Sequence, residues 1–133
     1  GNTALLADND FVAEQVLDQW LAFISGDLHP AFVPVFNQQR FTTATDEESL
    51  QAVKAAAEIR LDTLFSILDN HLSSNTFILG DSKSIADPYT YVMTSWIKYT
   101  NLTLSDYPQV KRHYETLKLD QAIIKAETEQ GLR

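Results

Sequence analysis

Apolar side chains in the first part of the chain recur at intervals of three and four residues, which is the spacing of one buried helix face. This stripe predicts a helix over residues 9–39. Its members are Leu17, Trp20, Leu21, Ile24, Leu28, Phe32 and Val35. Gly26, Pro30 and Pro34 fall inside the predicted helix. Because a proline lacks the backbone N–H and crowds the carbonyl four residues before it, we expect a kink near residues 26–34.

A second stripe is the most regular in the chain and predicts a long second helix. Its members are Leu50, Val53, Ala57, Leu61, Leu64, Leu68 and Leu72. Thr45 followed by Glu48 fits a capping box, in which each side chain accepts a hydrogen bond from the other residue's backbone N–H. We therefore expect this helix to begin at Thr45 and to end before the polar run 73–75.

A third helix is predicted from Ser84 to about Tyr99. We expect it to bury Tyr89, Val92, Met93 and Trp96. Ser84 followed by Asp87 fits a variant of the capping box, with the Ser84 hydroxyl accepting from the Asp87 N–H and the carboxylate accepting from the Ser84 N–H. Gly80 just before it tolerates the positive φ of a tight turn. Ser84 and Asp87 are thus interpreted as a structural cap, and Asp87 as a buried structural acid.

Two shorter helices are predicted towards the end of the sequence. Pro108 suits the first turn of a fourth helix, with Ser105 or Asp106 as its cap. The inward residues of this helix are expected to be Val110, Tyr114 and Leu117. Asp120 suits the cap of a short fifth helix that carries Ile123 and Ile124 and stops at Gly131.

No segment shows the sustained alternation of a strand, so the pattern predicts an all-α bundle of about five helices, the first of them kinked. The chain has 133 residues, which is one domain spanning 1–133 and enough to bury a core. Its only methionine is Met93. Either an initiator methionine has been removed from before Gly1 or the chain is part of a longer protein.

The charge balance and the absence of cysteine narrow the chemistry. Ten basic and 18 acidic residues give a net charge of −8, which disfavours nucleic acid and anionic membranes as partners. Without cysteine, this chain has no disulfide, thiolate metal site or cysteine nucleophile. No apolar run approaches the ~20 residues that cross a bilayer, and no secretory signal opens the chain, so we expect a cytoplasmic protein.

Two motifs carry a resemblance to a known family. The run Gly80–Tyr89, preceded by the apolar run 77–79, resembles the start of the sixth helix in the C-terminal domain of glutathione transferases. Residues 20–36 resemble the fourth helix of the bacterial beta class. In this segment His29 is followed by Pro30, Phe32, Pro34 and Phe36. The segments 107–110 and 127–132 are also similar to that class. The chain is therefore identified as a beta-class-like C-terminal helical domain of this family.

The resemblance implies a function shared between two domains. In the family, an N-terminal thioredoxin-like domain grips glutathione and activates its thiol, and we expect that domain to be absent from this chain. The helical domain then supplies the pocket for a small hydrophobic electrophile and part of a homodimer interface. We expect a transferase as the parent protein, glutathione as co-substrate, a role in detoxification, and no catalytic residue or activity in the isolated chain.

His29 is the strongest candidate for a site residue, because its family counterpart faces the cleft between the domains, near glutathione and the electrophile. An imidazole there can donate to a thiolate or a developing negative charge. The alternative is a histidine that satisfies backbone carbonyls at a turn disrupted by proline. His71 and His113 are expected at the surface, and no two histidines have the spacing of metal ligands.

Aromatic residues at helical spacing are candidates for the wall of the electrophile pocket. They are Phe32, Phe36, Trp96 and Tyr99. For Phe32 and Trp96 a pocket role and a core role are equally supported, whereas for Phe36 and Tyr99 a core role is favoured.

Three functions remain open at this point. The first is the electrophile-binding and dimerisation domain of a glutathione transferase, which His29 in its aromatic setting favours. The second is a non-catalytic protein-interaction module of the same fold, as in elongation-factor subunits. Ala22, where many members have asparagine, and the acidic surface favour that module. The third is an independent helical bundle, which the two motifs argue against.

Overall fold

The computed structural model describes residues 3–133, with side chains described from Asp10 onwards. Its α-helices are α1 (Thr3–Phe23), α2 (His29–Ala31), α3 (Val33–Phe36), α4 (Glu47–Leu72), α5 (Ala86–Ser95), α6 (Pro108–Lys118) and α7 (Gln121–Glu129). The short α2 and α3 continue α1, so the predicted all-α fold with five main helices is confirmed. Within residues 3–133 there is no strand, only an isolated bridge between Phe77 and Gly80.

The first helix is bent by 24°, as the prolines predicted. A π-helical segment, Ile24–Leu28, joins α1 to α2. Pro30 and Pro34 lie in the first turns of α2 and α3, where a missing N–H removes no helical hydrogen bond. The chain therefore restarts its helix at each proline and turns as it does so. The helix begins at Thr3, earlier than the predicted residue 9.

The start of α4 differs from the prediction. The cap is Asp46 and not a box of Thr45 and Glu48, because the Asp46 carboxylate accepts from the Ser49 N–H at 2.9 Å. Asp46 has the extended backbone, φ −75° and ψ 148°, that aims its carboxylate at the first turn. The hydrogen bonds from the Ser49 backbone and hydroxyl lower the pKa of Asp46.

The core lies between α4 and the helices packed around it. The predicted stripe of α4 is buried from Ala57 to Leu72, and Phe65 joins it. The other buried members of this core are Ile24, Leu28, Ala31, Phe32, Val35, Ile78, Ala86, Met93, Ile97, Tyr107 and Val110. A smaller cluster of Tyr91, Leu117 and Ile123 joins α5, α6 and α7.

In α5 the buried face is more polar than predicted. Thr90 and Thr94 are buried, and their hydroxyls donate to the carbonyls four residues before them at 2.8 and 2.9 Å. Each threonine thus satisfies its own polar atom inside the helix. Val92, predicted to be buried, is 43% exposed instead.

The caps of the last two helices show one error and one confirmation. At α6, Asp69 of α4 accepts from the N–H groups of Gln109 and Val110 at 2.7 and 3.0 Å, so neither Ser105 nor Asp106 is the cap. At α7, Asp120 accepts from the Ala122 N–H at 2.9 Å, as predicted.

Candidate active site

The start of α5 is held by Asp87, which is fully buried. Its Oδ2 accepts from the Ser84 N–H at 2.8 Å, which confirms this half of the predicted box. The Ser84 hydroxyl accepts from the Ala86 N–H at 3.2 Å, and not from that of Asp87 as predicted. The other carboxylate oxygen, Oδ1, accepts from the Ile78 N–H at 2.9 Å. Asp87 therefore joins the helix to the preceding turn.

His113 is the fourth member of this cluster, and its predicted surface position was wrong. It is fully buried, and its Nε2–H donates to Asp87 Oδ1 at 2.8 Å. Burial raises the pKa of Asp87, but the hydrogen bonds from His113, Ile78 and Ser84 outweigh this and leave the pKa below its usual value. Nδ1 of His113 has no hydrogen-bond partner among the described residues.

His71 was also predicted at the surface and is half-buried instead. Its Nε2–H donates to the carbonyl of Ile78 at 2.7 Å, and its ring lies 4.0 Å from that of Trp20. Both backbone groups of Ile78 are thus bound by side chains of other elements, the N–H by Asp87 and the carbonyl by His71. These two residues fix the turn that precedes α5.

His29 opens α2, immediately after the π-helical segment. Its imidazole is half-buried, and its Nδ1 lies 2.6 Å from the hydroxyl oxygen of Tyr89 on α5. The two rings meet edge to face, with centroids 5.7 Å apart. The bend in the first helix and the fixed start of α5 together bring these residues into contact, although they are 60 positions apart.

Trp96 lies at the centre of the aromatic residues predicted from the sequence. Its ring centroid is 5.3 Å from that of His29 and 5.5 Å from those of Phe32 and Phe36, each contact being edge to face. Phe36 makes a further contact with Tyr99 at 5.5 Å. The structure thus brings together all the aromatic residues singled out in the sequence. We call these side chains, with His29 and Tyr89, the aromatic wall.

Exposure divides the aromatic wall into a surface and a support. Phe36 and Tyr99 are 44% and 50% exposed, so the core role favoured for them was wrong. Phe32 is fully buried and supports Trp96 and Phe36 from behind. A ligand can therefore reach the rings of Phe36, Trp96 and Tyr99, with His29 beside them.

A surface cavity of about 680 Å³ borders the aromatic wall along the outer face of α5. Its lining includes Trp96 and Tyr99 of the aromatic wall, Tyr91, Tyr114 and residues near the end of the chain. The Tyr91 hydroxyl donates to the Glu127 carboxylate at 2.7 Å. This hydrogen bond is the main reason why the pKa of Glu127 is lowered, and Arg133 contributes to the lowering. The volume is within the range of about 300–1,000 Å³ that is usual for small-molecule sites.

Tyr89 contacts His29 and is a candidate site residue that sequence reasoning did not single out. The signal was present, because Tyr89 and Trp96 are seven positions apart and so lie on one face of the helix. Among the described side chains, no group of three or more His, Cys, Asp or Glu residues is arranged to hold a metal ion. Nor is any described helix long and apolar enough to span a bilayer.

Fold and site together define the class of protein. The family model for the C-terminal domain of glutathione S-transferases matches residues 23–118, which include the π-helical segment after α1, the aromatic wall and the Asp87 cap. The chain belongs to this family.

Among curated relatives, the chain is 27% identical over 128 residues to the glutathione S-transferase GST-4.5 of Xanthomonas campestris, covering 94% of this chain and 62% of the relative. It is 30% identical over 105 residues to elongation factor 1-gamma of Schizosaccharomyces pombe, covering 74% of this chain and 24% of that protein. The chain thus spans about three fifths of its transferase relative.

Solved structures give the same family. A glutathione S-transferase from Xylella fastidiosa superposes with a TM-score of 0.86 at 25% identity, covering 95% of this chain and 60% of that one. A sphingomonad glutathione S-transferase in complex with glutathione gives 0.75 at 29% identity, covering 91% and 56%. The beta-class enzyme of Sphingomonas chungbukensis gives 0.75 at 26% identity with the same coverage.

Proposed function

We propose that this chain is the electrophile-binding domain of a glutathione transferase that conjugates glutathione to small hydrophobic electrophiles. The observation that carries the proposal is the aromatic wall. Its rings are partly open to solvent, are supported from behind by Phe32, and have one imidazole at their edge. Apolar rings with a few polar groups are the usual lining of a site for an apolar ligand.

His29 is the polar group of the proposed site. An imidazole near a sulfur nucleophile can donate a hydrogen bond to the thiolate or to negative charge that develops on the electrophile. In this proposal His29 therefore contacts both glutathione and the electrophile, while Phe36 and Trp96 bind the electrophile's apolar part and Phe32 holds them in place.

The proposal includes a second domain that this chain does not contain. A thioredoxin-like domain would bind most of the glutathione and activate its thiol, leaving the helical domain without a catalytic residue of its own. The support is the length of the transferase relatives, of which the chain covers about three fifths, and the sphingomonad relative in complex with glutathione. The family resemblance extends the proposal to a homodimer that works in the cytoplasm in detoxification.

Replacing His29 in the full-length protein that carries this chain tests the proposal. We expect His29→Ala to lower kcat/KM for an aromatic halide by about 10- to 100-fold, the usual worth of one hydrogen bond to developing charge in a site. The melting temperature, measured on the same sample, should change little.

His71→Ala is the matched control. It removes an equally half-buried imidazole that binds the turn before α5, so it should lower the melting temperature and leave kcat/KM unchanged.

The opposite pattern in His29→Ala, with reduced stability and unchanged kcat/KM, would remove His29 from the site and make it a structural residue. Absence of any transferase activity in the full-length wild-type protein would favour the second candidate function, a non-catalytic protein-interaction module. The similarity to elongation factor 1-gamma supports that candidate, because this relative is described as an elongation factor and not as a transferase.

A further inference from the structure

Tyr89 makes a hydrogen bond to the imidazole that the proposed function relies on. Its hydroxyl oxygen lies 2.6 Å from Nδ1 of His29, and the two rings are nearly perpendicular, at 86°. Tyr89 is itself held, because it lies two residues after Asp87, whose carboxylate fixes the start of α5 through the Ser84 and Ile78 N–H groups. The contact thus joins a rigid helix start to the bent end of the first helix.

The distance fits either tautomer of His29, and relative donor strength favours one direction of this bond. A neutral imidazole has one N–H donor and one acceptor nitrogen, and a phenol has one O–H that it donates more strongly than its oxygen accepts. In the favoured direction the Tyr89 O–H donates to Nδ1, which leaves the proton of the neutral ring on Nε2. If the imidazole gains a proton, the same hydroxyl can rotate and accept from Nδ1–H.

The other ring nitrogen of His29, Nε2, has no hydrogen bond with a described residue. It is not among the buried unpartnered atoms, so it is not fully buried. Trp96 packs edge to face against the same ring at 5.3 Å and limits its rotation. A ring held by a hydroxyl at Nδ1 and by an indole at its side has one open polar atom, Nε2–H.

We propose that Tyr89 is a positioning residue, whose hydroxyl holds His29 in the Nε2–H form and presents that N–H to the thiolate and electrophile. The kinetic part of this inference rests on the proposed function. The hydrogen bond between Tyr89 and His29 lies within this chain, so it can be measured without an assay of enzyme activity.

The first experiment is nitrogen NMR of the imidazole side chains in the 133-residue chain. In the wild type we expect the His29 signals of a single tautomer, with Nδ1 unprotonated. In Tyr89→Phe the signals of the two ring nitrogens should move towards each other, because the tautomers then mix. Tyr107→Phe is the matched control. It removes the hydroxyl of a buried tyrosine, which is bound to Asp62 and not to His29, and should leave the His29 signals unchanged.

The second experiment is a double-mutant cycle in the full-length protein. We expect Tyr89→Phe to lower kcat about 3- to 10-fold with little change in KM, the size expected from one neutral hydrogen bond. In the His29→Ala background the same substitution should have no further effect, since its target is gone. Tyr107→Phe should lower the melting temperature by about as much as Tyr89→Phe does, and it should leave kcat unchanged.

Unchanged His29 signals in Tyr89→Phe would overturn the inference, as would a kinetic loss that persists in the His29→Ala background. Failure of the proposed function has a different signature. In that case His29→Ala itself has no kinetic effect, while the NMR comparison still decides whether Tyr89 holds the ring.

Discussion

The carboxylate of Asp87 receives N–H groups from three different parts of the chain: Ser84 in its own cap, Ile78 in the preceding turn and His113 on α6. Removing it would leave the Ile78 and His113 donors unpaired where they are buried, and the Ser84 N–H unpaired where it is part-buried. We expect Asp87→Ala to lower the free energy of unfolding by about 3–5 kcal/mol, because each buried donor left unpaired costs about 1–3 kcal/mol. Denaturant melts measure this, with the exposed Glu129→Ala as control. A loss no larger than that of the control would contradict the cap.

We expect the difference in stability between wild type and Asp87→Ala to depend on pH. Because the pKa of Asp87 is lower in the folded state than its usual 3.8, the unfolded chain binds the proton first as the pH falls. The stability contributed by the ionised carboxylate is thus fully present above the unfolded pKa and is lost as the pH falls through the folded one. In melts between neutral and strongly acidic pH, the gap between wild type and Asp87→Ala should stay constant and then narrow below 3.8. A gap that is flat throughout would contradict the lowered pKa.

The parts of this residue cluster differ in how predictable they were from sequence. The bond from the Ser84 N–H to Asp87 spans three positions, so the local motif is enough to predict it. His113 lies 26 positions from Asp87, and a lone histidine in an otherwise polar stretch gives no sign of its burial. The contact between His29 and Tyr89 likewise depends on how two helices pack, which no local pattern encodes.

At the scale of elements, the start of α6 shows how a tertiary contact replaces a local cap. Asp69 on α4 accepts from the first free N–H groups of α6, whereas Asp106 lies next to the helix start in sequence. We expect Asp69→Ala to cost about 1–2 kcal/mol of unfolding free energy, the usual worth of a cap. Asp106→Ala should change stability by less than ~0.5 kcal/mol, as surface substitutions do. Equal losses in denaturant melts of the two variants would show that the local cap is used after all.

Two glycines at element boundaries should respond in opposite directions to alanine. Gly80 has φ +108°, a backbone conformation that alanine rarely adopts. An added Cβ would make only an ordinary contact with Asn75, so no steric clash is expected. The cost of Gly80→Ala is therefore backbone strain, about 1–3 kcal/mol. Gly26 lies in the π-helical segment without a positive φ, and a Cβ there would meet no other atom. Gly26→Ala should therefore stabilise the fold by about 0.4–1 kcal/mol through the unfolded chain. Shifts of the same sign in thermal melts would contradict this account.

Element boundaries were predictable where the backbone itself sets them. Proline geometry gave the bend of the first helix, and the stripe of α4 gave its buried face from Ala57 to Leu72. The cap of α4 was misjudged by one residue, since Thr45 and Asp46 are both good cap residues and only the backbone conformation decides between them. On α5, the outward turn of Val92 was missed because threonines at the inner positions hide the apolar stripe.

At the scale of the whole molecule, Phe36 and Tyr99 of the aromatic wall are among several large apolar side chains that are exposed, which also include Ile59, Ile85 and Leu119. The fold class followed from the sequence, because helical spacing recurs throughout and strand alternation is absent. The exposure of Phe36 and Tyr99 did not, since aromatic residues at helical spacing belong more often to a core. Their rings contact each other, and Phe36 also contacts Trp96, so the exposed apolar surface is contiguous, which is typical of a surface used for binding.

The open position of the aromatic wall leads to the last prediction, which concerns the chain by itself. In the proposed function this chain supplies an apolar surface and one imidazole donor, while activation of the glutathione thiol belongs to the other domain. A donor on a surface open to water stabilises developing charge far less than one in a closed site. We therefore expect the 133-residue chain to conjugate glutathione to an aromatic halide no faster than the uncatalysed reaction, while remaining folded by circular dichroism. The full-length protein, assayed beside it, should turn the halide over. Turnover by the chain alone would mean that thiol activation resides in these helices, and a division of work between two domains would then be wrong.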